Sequence, residues 1–189
     1  MLFRISRHAS GEPYFGRNAT NRFDDSHKQP GKRYGTCDCG FDLETAIAET
    51  ILHDEEPKAG IFRLAATEFT TRHLVQFKRR EELVVADLTG SWLKRLGGTS
   101  AISAIVPYEL PQRWSRAIHK HPQLVDGIFY MSRHLNDRPA LVIFDRAGSQ
   151  AGIRLVHAPG RRAWHRQGSS EPWDRDRRAL ICSSTCCIR

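Results

Sequence analysis

A chain of 189 residues with 40% hydrophobic and 26% charged residues has the length and composition of one globular domain with a buried core. Its net charge of +8 and pI near 9.6 favour anionic partners such as nucleic acid, a phosphorylated cofactor or an acidic protein. No apolar run approaches the roughly 18 residues that span a bilayer, and Met1-Leu2-Phe3-Arg4 leads into no signal-like apolar segment, so the expected compartment is the cytoplasm.

Leu2 to Ser6 alternates enough to predict a first strand. Residues 7–36 are polar and rich in Gly, Asn, Asp and Pro; they read as long loops broken by short extended pieces. Leu43 to His53 reads as the clearest helix, with Leu43, Ala46, Ile47, Thr50 and Ile51 as its buried stripe. Asp42 is its expected N-cap, with Phe41 as the staple residue. Residues 61–66 and 83–88 read as strands, and the stretch 67–82 between them suits either strand or helix. Ser91 to Leu96 predicts a short helix ended by Gly97-Gly98. Pro111 to His121 predicts another, with Pro111 in its first turn. Gly127–Met131, Ala140–Phe144 and Ile153–His157 are apolar runs that predict strands. Turn signals at Asn136-Asp137-Arg138-Pro139 and Ala147-Gly148-Ser149 separate them. Beyond Pro159 the chain turns polar, and much of the positive charge lies there as arginine. Together these elements predict an α+β domain.

The five cysteines, Cys37, Cys39, Cys182, Cys186 and Cys187, are odd in number and lack paired C-x-x-C spacing. Reduced thiols are expected, and no metal is expected. There is no H-E-x-x-H, P-loop, G-x-G-x-x-G or G-x-S-x-G pattern. His119 and His121 read as surface or helix-end residues, and His53-Asp54-Glu55-Glu56 as an exposed helix end.

Some polar residues sit where a core would not ask for them. Arg4 lies in the first strand, Glu49 on the flank of the first helix, and Ser132 at the end of the run Gly127-Ile128-Phe129-Tyr130-Met131. Read singly, each has an ordinary explanation: an edge arginine, a solvated carboxylate, the first residue of a turn.

The ordered set Phe3-Arg4-Ile5, Arg22-Phe23-Asp24, Tyr34, Ala46-Ile47-Ala48-Glu49 and Asp126 to Arg133 resembles the RES domain family over about residues 2–146. The family is named for its arginine, glutamate and serine. It comprises bacterial toxins paired with Xre-like antitoxins and is related in fold to ADP-ribosyltransferases. The resemblance implies a mixed, split β-sheet core with short flanking helices. It implies a catalytic NAD-binding domain over residues 1–158, followed by an arginine-rich tail over 159–189 that could pack on it.

It also implies that NAD is the substrate, cleaved at the nicotinamide–ribose bond by phosphorolysis or hydrolysis, with phosphate as a possible co-substrate. Arg4 and Arg22 would hold the pyrophosphate or a ribose, Tyr34 and Ser132 would place the nicotinamide ribose, and Glu49 would support cleavage. Arg133 could reach a phosphate, or pair with Asp126 or Asp137. Asp24 stands where the family tends to have Asn, and Gly35 where a larger residue is usual. The implied partner is an Xre-like antitoxin, through which any nucleic-acid contact would be indirect. Transfer of ADP-ribose to a protein and an inactive RES-like binding module are the alternatives. A nucleic-acid-binding role for the basic tail ranks last, with no RNP-like or C₂H₂ pattern behind it.

Overall fold

A computed structural model describes residues 1–77 and 83–148 and the backbone of 156–157. Within these residues seven strands form one mixed sheet: β1 (Leu2–Ser6), β2 (Thr36–Gly40), β3 (His73–Phe77), β4 (Val84–Asp87), β5 (Gly127–Met131), β6 (Pro139–Phe144) and β7 (Val156–His157). Their order is β3-β1-β2-β6-β5-β4-β7. The pairs from β3 through to β5 are antiparallel, and β4 is parallel to both β5 and β7. Among the described residues four α-helices accompany the sheet: α1 (Leu43–Ala48), α2 (Thr67–Thr70), α3 (Gly90–Arg95) and α4 (Glu109–His119). The domain is therefore α+β. None of these helices is long and apolar enough to cross a membrane.

The central strands are covered on both faces, which explains why β6 reads as a continuous apolar run rather than an alternating one. Side chains on a strand point alternately to opposite faces. On one face Phe23, Ile128, Tyr130, Ala140, Val142 and Phe144 pack with Leu93 of α3 and with Trp114 and Ile118 of α4. On the other, Leu2, Cys37, Cys39, Leu83, Val85, Leu141 and Ile143 form a second core. Gly127 is required where β5 meets β6: a Cβ there would lie 2.2 Å from the Val142 carbonyl oxygen.

Several elements differ from the sequence expectation. The strand expected at 61–66 is absent; Ile61 makes only an isolated bridge with Lys58, and Ile61 and Phe62 are exposed. The stretch 67–82 holds both α2 and β3, and β3 takes the free edge of β1 in place of 61–66. The strand β2 lies inside the sheet, Cys37 and Cys39 alternating with Thr36, Asp38 and Gly40, and the sequence expectation did not include it. The first helix stops at Ala48, five residues short of His53. Its N-cap is Asp42, whose side chain accepts from the Thr45 N–H at 2.7 Å. Thr45, Ala46 and Ala48 form its buried face, while Leu43 is exposed. The helix α4 begins two residues before Pro111. Of the expected strand 153–157 only the last two residues are described; Ser149, the tail 159–189 and Cys182, Cys186 and Cys187 lie outside the described residues.

Candidate active site

The end of α1 and the end of β5 meet through Glu49 and Ser132. Glu49 is the C-cap residue of α1, with φ −76° and ψ −7°, and the chain turns immediately afterwards. The Ile47 carbonyl accepts from the N–H groups of Thr50, Ile51 and Leu52. The Glu49 N–H still donates to the Thr45 carbonyl at 2.9 Å, so the last helical turn aims its side chain at the end of β5. The Ser132 hydroxyl donates to Glu49 Oε1 at 2.5 Å, and the Tyr130 hydroxyl donates to Oε2 at 3.3 Å.

The direction of the first bond follows from counting. The Ser132 oxygen accepts from the His134 and Leu135 backbone N–H groups, each at 3.1 Å. Its two lone pairs are thus occupied, and its one proton is left for Glu49. Ser132 is 2% exposed and Tyr130 3%, so the carboxylate is gripped by hydroxyls that cannot exchange freely with water. Burial and the Glu49 charge push the Tyr130 hydroxyl far above its ordinary range; it stays protonated and donates to the carboxylate.

Arg22 is 4% exposed, and its charge bears on Tyr130, His134 and Asp38. Its guanidinium stacks over the Tyr108 ring, 5.0 Å from the centroid. Its Nε and Nη2 have no hydrogen-bond partner among the described residues. A buried guanidinium with unmatched donors is costly unless an anion completes it. The planar fork is matched to phosphate and carboxylate oxygens.

Two histidines and an aspartate border this group. His53 Nε2 lies 3.3 Å from the Tyr108 hydroxyl, and His53 Nδ1 lies 2.8 Å from Asp54 Oδ1. The His134 ring lies 5.5 Å from that of His53. Burial lowers the His134 pKa, and the nearby Arg133, His53 and Arg22 charges act the same way against Glu49. Asp38, on β2, shares the sheet face of Tyr130 by register: Asp38 pairs with Val142, Val142 with Ile128, and Ala140 with Tyr130. Its carboxyl is pushed up to about 7 by burial and by the Asp24 and Glu49 charges, against the opposing pull of Arg4 and Arg22.

Glu49, Ser132 and Arg22 are therefore brought together; Arg4 and Tyr34 are placed elsewhere. Strand alternation puts the Arg4 side chain on the opposite sheet face, with Leu2. There its Nη1 donates to Cys37 Sγ at 3.0 Å and to the Asp38 carbonyl at 3.3 Å, and its Nε lies 3.4 Å from Glu12 Oε2. Tyr34 precedes β2 and is 8% exposed in the core. Its hydroxyl lies 2.8 Å from Ser115 Oγ, and its ring stacks on His119 at 3.8 Å.

His119 is thus a packing partner rather than a surface residue, and burial lowers its pKa to about 4. His121 is likewise buried, at 6% exposure. Arg133 pairs with neither Asp126 nor Asp137: it donates to the His53 carbonyl at 2.7 Å and to His134 Nε2 at 3.0 Å.

Asp24 ties its own loop, accepting from the Thr20 and Asn21 N–H groups and from the Thr36 hydroxyl. Gly35 is where nothing larger fits, since a Cβ would sit 2.6 Å from that of Phe15. Cys37 and Cys39 are free buried thiols. No group of three or more His, Cys, Asp or Glu among the described residues is placed to hold a metal ion. The sequence reading missed Asp38, Tyr108 and Tyr130 and took His53 as an exposed helix end. Tyr130 alone carried a usable signal, because it lies two residues before Ser132 on a strand and so shares its face.

The sequence model of the RES domain matches residues 1–174. The chain is 31% identical over 95 residues to the protein named Probable toxin y4kH of Sinorhizobium fredii, an alignment covering 50% of this chain and 74% of that one. No solved structure matches.

Proposed function

The chain belongs to the RES domain family, and on that premise we propose that it is a RES-type toxin that cleaves NAD between nicotinamide and ribose. The observation that carries this reading is the Glu49 carboxylate held by Ser132 and Tyr130 in the same region as a buried arginine with unmatched donors. The relative named as a toxin supports the biological role.

Breaking the glycosidic bond sends its electron pair to the nicotinamide nitrogen and leaves positive charge on the ribose, as in an oxocarbenium-like transition state. Glu49 is suited to face that charge: it is fixed in advance, so little reorganisation is needed as the charge develops. The unmatched Nε and Nη2 of Arg22 fit the pyrophosphate, and the Tyr108 ring holds the guanidinium plane. Ser132 and Tyr130 aim the carboxylate. An oxygen nucleophile from water or phosphate then bonds to the ribose carbon, giving ADP-ribose or ADP-ribose-1″-phosphate beside free nicotinamide. A toxin that consumes NAD in its own cell needs a neutralising protein, and an Xre-like antitoxin is the expected partner.

Incubation of the purified chain with NAD, with and without phosphate, tests this by chromatography of the products. The parent releases nicotinamide, and Glu49→Ala and Ser132→Ala do not. A folded parent that releases none under either condition overturns NAD cleavage. Label from NAD appearing on a protein instead assigns ADP-ribose transfer.

A further inference from the structure

Asp38 is set apart by what its carboxylate does not do. Asp24, Asp25, Asp42, Asp126 and Asp145 each accept a backbone N–H. The Asp38 carboxylate accepts no hydrogen bond among the described residues; Arg4 reaches its backbone carbonyl instead. It is half-buried on the face that carries Tyr130, within the influence of Glu49 and Arg22. A half-buried carboxylate left without partners costs stability, and residues kept at such a cost concentrate at functional sites.

Cleavage of NAD needs no acid, because nicotinamide leaves as a neutral molecule. The proton that must be moved is the one on an attacking water; phosphate at neutral pH brings an oxygen nucleophile already ionised. In inverting glycoside hydrolysis one carboxylate activates the attacking water as general base, and with nicotinamide leaving unprotonated that is the proton-transfer role this reaction retains. A carboxyl held near neutrality, about 7 here, is matched to accepting that proton at physiological pH. The charges around Asp38 point the same way. Asp24 and Glu49 bear on it as anions, opposed by Arg4 and Arg22; Arg4 is committed to Cys37, the Asp38 carbonyl and Glu12, and Arg22 is matched to the pyrophosphate. A phosphate dianion approaching as acceptor would meet carboxylates.

Resting on the reading of the site as one for NAD, we propose that Asp38 is the general base that deprotonates the attacking water, and that the chain is a hydrolase rather than a phosphorylase. The ribose–nicotinamide bond breaks with its electron pair going to nicotinamide. The water oxygen bonds to the ribose carbon, its proton passes to Asp38 and then to solvent, and the products are ADP-ribose, nicotinamide and one proton.

The test uses the full chain, NAD, and Asp38→Asn, which keeps the shape and removes the base. The parent yields ADP-ribose even in excess phosphate. Asp38→Asn loses at least about 100-fold in nicotinamide release, within the usual contribution of a general base, while its affinity for NAD changes less than threefold. Sodium azide, a nucleophile with no proton to lose, restores nicotinamide release in Asp38→Asn and forms an azido-ADP-ribose. Asp38→Glu, which keeps a base on a longer stem, retains part of the activity and serves if Asp38→Asn does not fold.

ADP-ribose-1″-phosphate as the parent's product, an Asp38→Asn variant of parental rate, or a loss that azide does not restore each overturns the role of Asp38 and leaves NAD cleavage standing. A parent that releases no nicotinamide overturns the NAD reading, and this proposal with it.

Discussion

Glu49 shows how a side chain is prepared for chemistry by bonds that look merely structural. Each of its two oxygens receives a hydroxyl proton from the β5 end, one from Ser132 and one from Tyr130, so both its position and its orientation are set before any ligand arrives. Glu49→Gln keeps the shape and removes the charge; nicotinamide release should fall by about 100- to 1,000-fold, the scale of losing one preorganised electrostatic contact, with the melting temperature little changed. Tyr34 makes the opposite case. Its hydroxyl meets Ser115, whose own hydroxyl donates to the Phe23 carbonyl at 2.5 Å, and its ring packs between His119 and Phe144. Tyr34→Phe should cost about 1 kcal/mol in denaturant unfolding, the net worth of a typical hydrogen bond, and leave KM for NAD within twofold. A tenfold rise in KM at unchanged stability would return Tyr34 to the ligand.

The element that matters most to the site is α1. The periodic pattern of Leu43 to Ile51 suits a longer helix, yet the chain leaves it at Ala48. Glu49 itself keeps helical angles and a helical bond to the Thr45 carbonyl, so the last turn of α1 aims its side chain at Ser132. The start is local and legible: Asp42 caps the Thr45 N–H, and Gly40 lets the turn close, since a Cβ there would lie 2.6 Å from the Ala46 nitrogen. Asp42→Ala should therefore cost about 1 kcal/mol of stability through loss of the cap, read in chemical denaturation. The surface ion pair of Asp42 with Arg138, 3.3 Å and well exposed, adds little. The strand β2 was the harder element to see. Its cysteines face one core and its Asp38 the other side, an alternation only five residues long and without the branched or aromatic side chains by which a strand is recognised.

Across the whole molecule, two cores share one sheet, and a single sequence position separates a residue of the site from one behind it. Arg4 illustrates this: one residue earlier or later it would lie on the face of Glu49. The same two-sided burial has a consequence for stability. His119 is held with a pKa of about 4, against an ordinary value of 6.5, because the neutral ring packs on Tyr34 and Phe144. Below pH 6.5 the unfolded chain takes up a proton that the folded chain refuses, so stability falls as pH drops from about 6.5 to about 4 and this contribution levels off below. His119→Phe keeps a ring on Tyr34 and removes the titration. Its melting temperature should fall less steeply than the parent's across that window, and equal slopes would refute the assignment.

The sequence by itself determined what is local or ordered along the chain. The α+β class, the Asp42 cap, the limits of β5 and the family follow from short patterns, because caps, apolar runs and motif order need no knowledge of distant neighbours. The pairing of Glu49 with Ser132, 83 residues apart, was only suspected until the fold joined them. Which arginine accompanies them was decided by the tertiary structure alone: Arg22, from a polar loop, turns inward over Tyr108, while Arg4, from a strand, is committed by register to the other face. The same holds for Asp38, whose neighbours come from three separate stretches of chain. Charge, burial and the absence of a hydrogen bond are properties of a place in space, and only the packed sheet creates that place.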